Sequence, residues 1–269
     1  MQWLITLLGV YAGLALFVML FQRKLIYVPS RFPVEAAEQL ARKEGFRPWR
    51  NQRGVLIGWH LPSRTNSKAS VLIVHGNGGC AANRGYLARP IHEAAAVDVY
   101  VLEYPGYGCR AGSPSLQSIL AAADNAIETL TNDKPVYVVG ESLGTGPAAH
   151  VAGKNPRRIA GLALFAPYDK LSSVAQRQMP WLPVGLLLRD RFHPAASLAH
   201  YRGPVKIILA EADSIIPAKF GQRLHDGYAG TKALEVIQGA GHNDIAGQTP
   251  GWWAEVFRFW ETNDHARIR

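Results

Sequence analysis

Pro135-Val-Tyr-Val-Val-Gly-Glu-Ser-Leu-Gly144 decides how the rest of this chain is read. Residues 136–139 are a run of β-branched and aromatic side chains, the composition of a buried strand. Residues 140–144 match G-x-S-x-G, and Thr145, Gly146, Ala148 and Ala149 after them are small and compatible with a helix. Strand, pentapeptide and helix in that order form the context of a nucleophile elbow, in which a serine sits on a sharp turn with its hydroxyl projecting. Such a turn brings the strand and the helix too close for side chains at Gly140 and Gly144. The competing reading is an ordinary loop with a surface serine, and the partners of Ser142 decide between the two.

Outward from this stretch, apolar runs alternate with helical patterns. Residues 70–74, 97–103, 159–165, 205–210 and 233–237 read as strands. Helices are expected over 34–43, 84–95, 114–130 (with Ser113 as N-cap and Pro114 in the first turn), 143–152, 217–226 and 252–261. Residues 49–61 read as a hairpin with Arg53-Gly54 at its turn, an antiparallel edge ahead of a parallel sheet. The pattern predicts an α/β fold with a mostly parallel sheet covered on both faces, and function in the loops after the strands.

The chain of 269 residues holds one sizeable core plus an appendage. Its net charge is +9, but the basic residues are scattered, with no Lys/Arg run and no interleaved aromatic motif, which argues against a nucleic-acid partner. Two cysteines, Cys80 and Cys109, make no disulfide framework, and no Cys/His cluster has zinc spacing. They follow two loops of one sheet edge and are expected as free thiols.

The appendage is residues 3–21, 19 residues without a charge, with Thr6 the one clearly polar member. As a helix they span roughly 28 Å, close to the thickness of a bilayer's hydrocarbon core. A cleaved signal peptide would bring a basic start and a small-x-small cleavage site, and both are missing here. The segment is read as a single membrane anchor over 1–24, with a linker and short helix over 25–44 and the main domain over 45–269. Arg23, Lys24 and Arg31 on its C-terminal flank place that domain on the cytoplasmic side.

Three further loops carry chemistry. His75-Gly-Asn-Gly-Gly79 follows the first parallel strand, where acyl transfer needs backbone N–H donors aimed at a developing oxyanion. Leu143 N–H is one expected donor and Asn77 N–H the other, with Gly78 as its alternative. His75 is expected to buttress the loop. The base for Ser142 is expected at His242, in Gly239-Ala-Gly-His-Asn243, where glycines let a post-strand loop carry the ring back toward the serine. The other histidines after Ser142 are placed on helices (His150, His225), in the insertion or in the tail (His265). The acid is expected at Asp213, after strand 205–210, ahead of Glu211, Asp169, Asp190 and Asp244. Tyr104-Pro-Gly-Tyr-Gly108 reads as a shaped loop at the rim, and Glu103 has no evident role.

These motifs together resemble the alpha/beta-hydrolase superfamily over residues 45–262. Within it the chain is similar to membrane-anchored abhydrolase-domain serine hydrolases, which share the anchor, Tyr27-Val-Pro-Ser30, His75–Gly79, Tyr104–Gly108, Gly140–Gly144, Asp213-Ser-Ile-Ile-Pro217 and Gly241-His-Asn243. The resemblance implies a Ser142–Asp213–His242 triad and hydrolysis of an ester or thioester, on a small or lipid-like acyl substrate or an acylated protein, with no metal or organic cofactor. A non-catalytic membrane scaffold or a peptidase on the same fold are the alternatives. Two departures stand out: Glu103 replaces a common Asp, and Pro147 should cost the helix after the serine a hydrogen bond.

Residues 166–204 interrupt the strand–helix alternation and are long enough for a small helical cap. Trp181, Leu182 and 186–188 within it either line an apolar acyl pocket or touch a membrane, or else pack onto the sheet.

Overall fold

The computed structural model describes residues 1–131 and 133–264; His265 lies outside them. Among the described residues, eight strands form one sheet in the order β1-β2-β4-β3-β5-β6-β7-β8. In chain order they are β1 (Arg47–Arg50), β2 (Leu56–Leu61), β3 (Ala69–Val74), β4 (Val97–Leu102), β5 (Val136–Glu141), β6 (Ile159–Phe165), β7 (Val205–Ala210) and β8 (Lys232–Ile237). β1–β2 and β2–β4 pair antiparallel, and every other pair is parallel, as the hairpin-then-alternation pattern predicts.

The helices are α1 (Gln2–Ile26), α2 (Val34–Lys43), α3 (Gly85–Ala94), α4 (Leu116–Thr129), α5 (Thr145–Lys154), the cap helices α6 (Leu171–Gln178), α7 (Val184–Leu187) and α8 (Pro194–Ser197), then α9 (Ala218–Gly227) and α10 (Pro250–Asn263). The strand period of two divides the apolar side chains between two cores. Leu72, Val138 and Ile207 face α4, α5 and the cap, whereas Val71, Val139 and Ile208 face α3 and α10.

Two local expectations change. The N-cap of α4 is Ser115, whose Oγ accepts from Ser118 N–H while Ser118 Oγ accepts from Ser115 N–H. Pro114 stays outside the helix, packed where Gly106 has no side chain. Pro147 falls in the first turn of α5, and the Leu143 carbonyl it cannot bond accepts from Tyr168 O–H at 3.2 Å instead. The loss expected from the sequence is thereby made good.

α1 is long and apolar enough to cross a membrane. Its last turns pack on the cap, and Tyr27 just beyond it is buried in the core. The segment read as a linker is bridged to the domain at Pro29–Gly79 and Arg31–Gly108.

Candidate active site

Ser142 follows β5 at a single 3-10 turn before α5. Its φ is +51°, in the left-handed region that a non-glycine residue occupies at a cost of about 1–3 kcal/mol. Packing holds it there. Thr145 Oγ1 donates to the Ser142 carbonyl at 2.7 Å. A Cβ on Gly140 would meet Ala148 Cβ at 2.8 Å, and one on Gly144 would meet the Val74 carbonyl at 2.0 Å. The closest neighbour of Gly144 is therefore the end of β3, not the elbow's own flank.

His242 is delivered by the loop after β8, which turns at Gly239 with φ +68°. Its Nε2 lies 2.9 Å from Ser142 Oγ and its Nδ1 2.6 Å from Asp213 Oδ2. A carboxylate only accepts, so Nδ1 donates to Asp213 and leaves the Nε2 lone pair to the serine hydroxyl. Asp213 is itself fixed, its Oδ1 accepting from the N–H groups of Ile215 (2.8 Å) and Ile216 (2.7 Å). The competing acids are engaged elsewhere: Glu211 with Gly239 N–H, Asp169 with Arg223, Asp190 with Arg23 and Asp244 with Gly241 N–H. His150 pairs with Asp124 and His225 with Asp226.

The loop after β3 is clamped from three sides. From below, His75 is fully buried against Tyr104, whose O–H donates to the His75 carbonyl at 2.7 Å. Tyr104 and Tyr107 are fully buried under the loop, so this stretch supports the site from beneath and is not its rim. From one flank, the Asn77 side chain accepts from Val28 N–H (2.9 Å) and Tyr107 O–H (2.8 Å). From the other, Glu141 accepts from Gly76 N–H (3.2 Å) and Tyr86 O–H (2.7 Å), and Arg84 donates to the Gly78 carbonyl. Burial, followed by the Glu141 charge, pushes the Tyr86 phenol well above its ordinary value, keeping it a donor. Among the described residues nothing accepts from the backbone N–H of Asn77 or Leu143, and both residues line the cavity in front of Ser142. Glu103, fully buried, accepts Ala81 N–H with both oxygens (3.0 and 3.1 Å) and so has a structural task.

That cavity holds about 1010 Å³ and is mostly apolar. Of the cap residues singled out by sequence, Leu182 lines it with Leu187 and Leu188. Trp181 and Leu186 do not: they are 46% and 82% exposed and lie on the cap's outer side. Sequence reasoning missed Glu141, Arg84 and Tyr86. It also missed the contribution of α1, whose Val18, Met19, Leu25 and Ile26 line the same cavity. Gln22, the first polar residue after the apolar run, was the available signal.

A family model described as alpha/beta hydrolase fold matches residues 69–198. The chain is 34% identical over 242 residues to the uncharacterized protein Rv2307c of Mycobacterium tuberculosis, covering 87% of this chain and 85% of that one. It is 27% identical to the lysophosphatidylserine lipase ABHD12 of Danio rerio, over 69% of this chain and 54% of the relative. Among solved structures it is similar to the Pyrococcus furiosus esterase Pf2001, with a TM-score of 0.65 at 16% identity, covering 88% of this chain and 99% of the other.

Proposed function

The chain belongs to the alpha/beta-hydrolase family, and from that premise we propose that it is a membrane-anchored serine hydrolase of carboxylic esters or thioesters. The observation that carries the reading is the hydrogen-bonded line Asp213–His242–Ser142, opening into an apolar cavity. His242 Nε2 takes the proton of Ser142 as Oγ attacks the acyl carbon, and Asp213 stabilises the imidazolium and holds the ring. The N–H groups of Asn77 and Leu143 receive the oxyanion. His242 then passes its proton to the leaving oxygen or sulfur, and the acyl-enzyme forms. Water, deprotonated by His242, releases the acid and restores Ser142.

The apolar cavity and the lysophosphatidylserine lipase among the relatives favour a lipid-like acyl substrate. Residues 45–269 form the hydrolase domain, with 166–204 its cap, and α1 is the anchor. A cleaved signal is disfavoured because Gln22 is buried and Arg23 binds Asp190, so the helix is part of the fold. Arg23, Lys24 and Arg31 put the domain on the cytoplasmic side. A C-terminal reporter active only outside the cytoplasm would reverse that orientation.

The test is labelling by a fluorophosphonate probe, followed by turnover of a p-nitrophenyl ester series. Wild type should label and turn over, and Ser142→Ala should do neither. Folded wild-type protein that does not label would make the chain a scaffold.

A further inference from the structure

We infer that α1 is a wall of the acyl-binding site as well as an anchor, and that the acyl chain of a single-chain ester amphiphile enters that site sideways from the lipid leaflet, along the seam between α1 and the cap. This rests on the membrane-anchored hydrolase reading above and specifies where its substrate comes from.

One stripe of α1 faces the domain. Tyr11, Ala15, Val18, Gln22 and Ile26 recur at three- and four-residue spacing, which puts them on one helix face. Ala15, Val18 and Ile26 pack against the core, whereas Leu16, Phe17 and Leu20 between them are exposed. The rotation of the helix is fixed by polar contacts. Gln22 is 5% exposed, donating to the Leu187 carbonyl at 3.1 Å and accepting from Arg189 N–H at 2.7 Å. Arg23 makes a two-pronged pair with fully buried Asp190 (3.0 and 3.1 Å), which also accepts from Tyr27 O–H at 2.9 Å. In this register Val18, Met19, Leu25 and Ile26 close the cavity opposite Leu182 and Leu188.

The stripe also sets a depth. At its upper end Tyr11 O–H donates to the Trp181 carbonyl at 3.0 Å and the two rings meet edge-on. Tyr11 precedes Phe21, the end of the uncharged run, by about 15 Å of helix, half of a hydrocarbon core about 30 Å thick. A helix that spans the bilayer thus carries the cap tip, residues 180–186, into the adjoining leaflet. The tip is built for that solvent. Trp181 and Leu186 are exposed, and the exposed Arg189 and Arg191 follow just beyond, near Arg23 and Lys24 at headgroup level.

Irregular backbone survives in hydrocarbon only when its polar groups are paired. Here five consecutive carbonyls, of residues 179–183, each accept a hydrogen bond. The N–H groups of Leu182 and Val184 serve Met179 and Leu182, the Gln176 amide serves Pro180, Tyr11 serves Trp181, and the N–H groups of Leu186 and Leu187 serve Pro183. Pro180 and Pro183 bring no N–H that would need a partner.

The full-length protein is reconstituted in phosphatidylcholine–phosphatidylglycerol vesicles and assayed on p-nitrophenyl esters from butyrate to palmitate. Fluorophosphonate labelling reports the folded site in every variant. Val18→Trp should lower the palmitate-to-butyrate ratio of kcat/KM by roughly tenfold or more, since each displaced methylene forfeits its burial. Met19→Trp repeats the test at a second position. Leu16→Trp, on the exposed face, should keep the wild-type ratio. Leu186→Lys should depress palmitate turnover from vesicles and recover it in detergent micelles. A labelled Val18→Trp and Met19→Trp with the wild-type ratio, or a Leu186→Lys with undiminished vesicle turnover, overturns the proposal and leaves the hydrolase reading standing. Wild type that fails to label overturns both.

Discussion

Gly144→Ala isolates what the elbow demands of its neighbours. Gly144 has φ −63° and ψ −16°, which alanine adopts freely, so the substitution is a test of space alone. The new Cβ would lie 2.0 Å from the Val74 carbonyl oxygen and 2.6 Å from that of His75. Neither oxygen can yield easily. Val74 is paired with Gly140 in the β3–β5 ladder, and the His75 carbonyl accepts from buried Tyr104. Ordinary contact begins at 3.4 Å, so the elbow and β3 must part by more than an ångström. Overpacking of this kind costs about 1–3 kcal/mol. For a domain of this size that lowers Tm by roughly 2–12 °C. The same displacement moves Ser142 away from the N–H of Asn77, and a 1 Å misplacement costs on the order of 100-fold in rate. Thermal melts by circular dichroism and the rate of fluorophosphonate labelling read the two effects. Gly227→Ala, where a Cβ meets nothing within 4 Å, is the control and should melt at or slightly above wild type. A Gly144→Ala protein that melts and labels like wild type would refute the close-approach argument.

Asp213→Asn should preserve the fold and lower kcat by about 10⁴. The Asn oxygen stays on the N–H groups of Ile215 and Ile216, which turns its NH₂ toward His242 Nδ1 and forces the proton onto Nε2, where a base needs a lone pair; the pH profile of ester hydrolysis against wild type checks it. Glu103→Ala should destabilise the protein by about 1–3 kcal/mol, because Ala81 N–H is left buried without an acceptor. Urea unfolding measures this, and Glu103→Gln, which keeps one acceptor, should lose less. Burial, and then the Glu103 charge, push the Cys80 thiol up to about 11. Iodoacetamide at pH 8 should therefore leave Cys80 unmodified until the chain is unfolded, with half-buried Cys109 reacting first by mass spectrometry.

That Ser142, Asp213 and His242 come together was legible because each follows a strand in a sequence where strands are easily seen. Gly239 and Gly241 around His242, and Gly140 and Gly144 around Ser142, marked the loops that bend sharply. The cap was legible as an insertion but not in its facing. Trp181 and Leu182 are adjacent and equally apolar, yet one points outward and the other into the cavity, and in a segment of short helices no period separates them. Local rules also placed the α4 cap two residues early, at Ser113, because they could not see that Pro114 packs against Gly106. The hardest feature was the packing of α1 on the domain. Its apolar run answers the hydropathy test whether or not it has a protein partner, and its partner Asp190 lies 167 residues from Arg23. A polar Gln22 beside that run, and an aspartate outside the Ser142–His242–Asp213 line, were the two loose ends that belonged together.

The segment leaving α1 grips the loop after β3 as firmly as the cap grips α1. Val28 N–H donates to the Asn77 side chain, which in turn donates to the Ile26 carbonyl, and Ser30 N–H donates to the Gly79 carbonyl at 3.1 Å. Gly108 N–H donates to the Ser30 carbonyl at 2.9 Å, so residues 26–30 stitch together two of the loops behind the serine. α1, one wall of the cavity and the loop bearing Asn77 N–H are thus tied together through one short segment, residues 26–30. A fragment that begins after α1 would leave Asp190 buried without Arg23, open the cavity along its length, and free the Ile26 end of the clamp on Asn77. Such a fragment should bind a fluorophosphonate more slowly than the full chain even on a probe too small to touch α1. An equal labelling rate would mean that residues 28–31 hold the loop unaided and that α1 is not needed to position it.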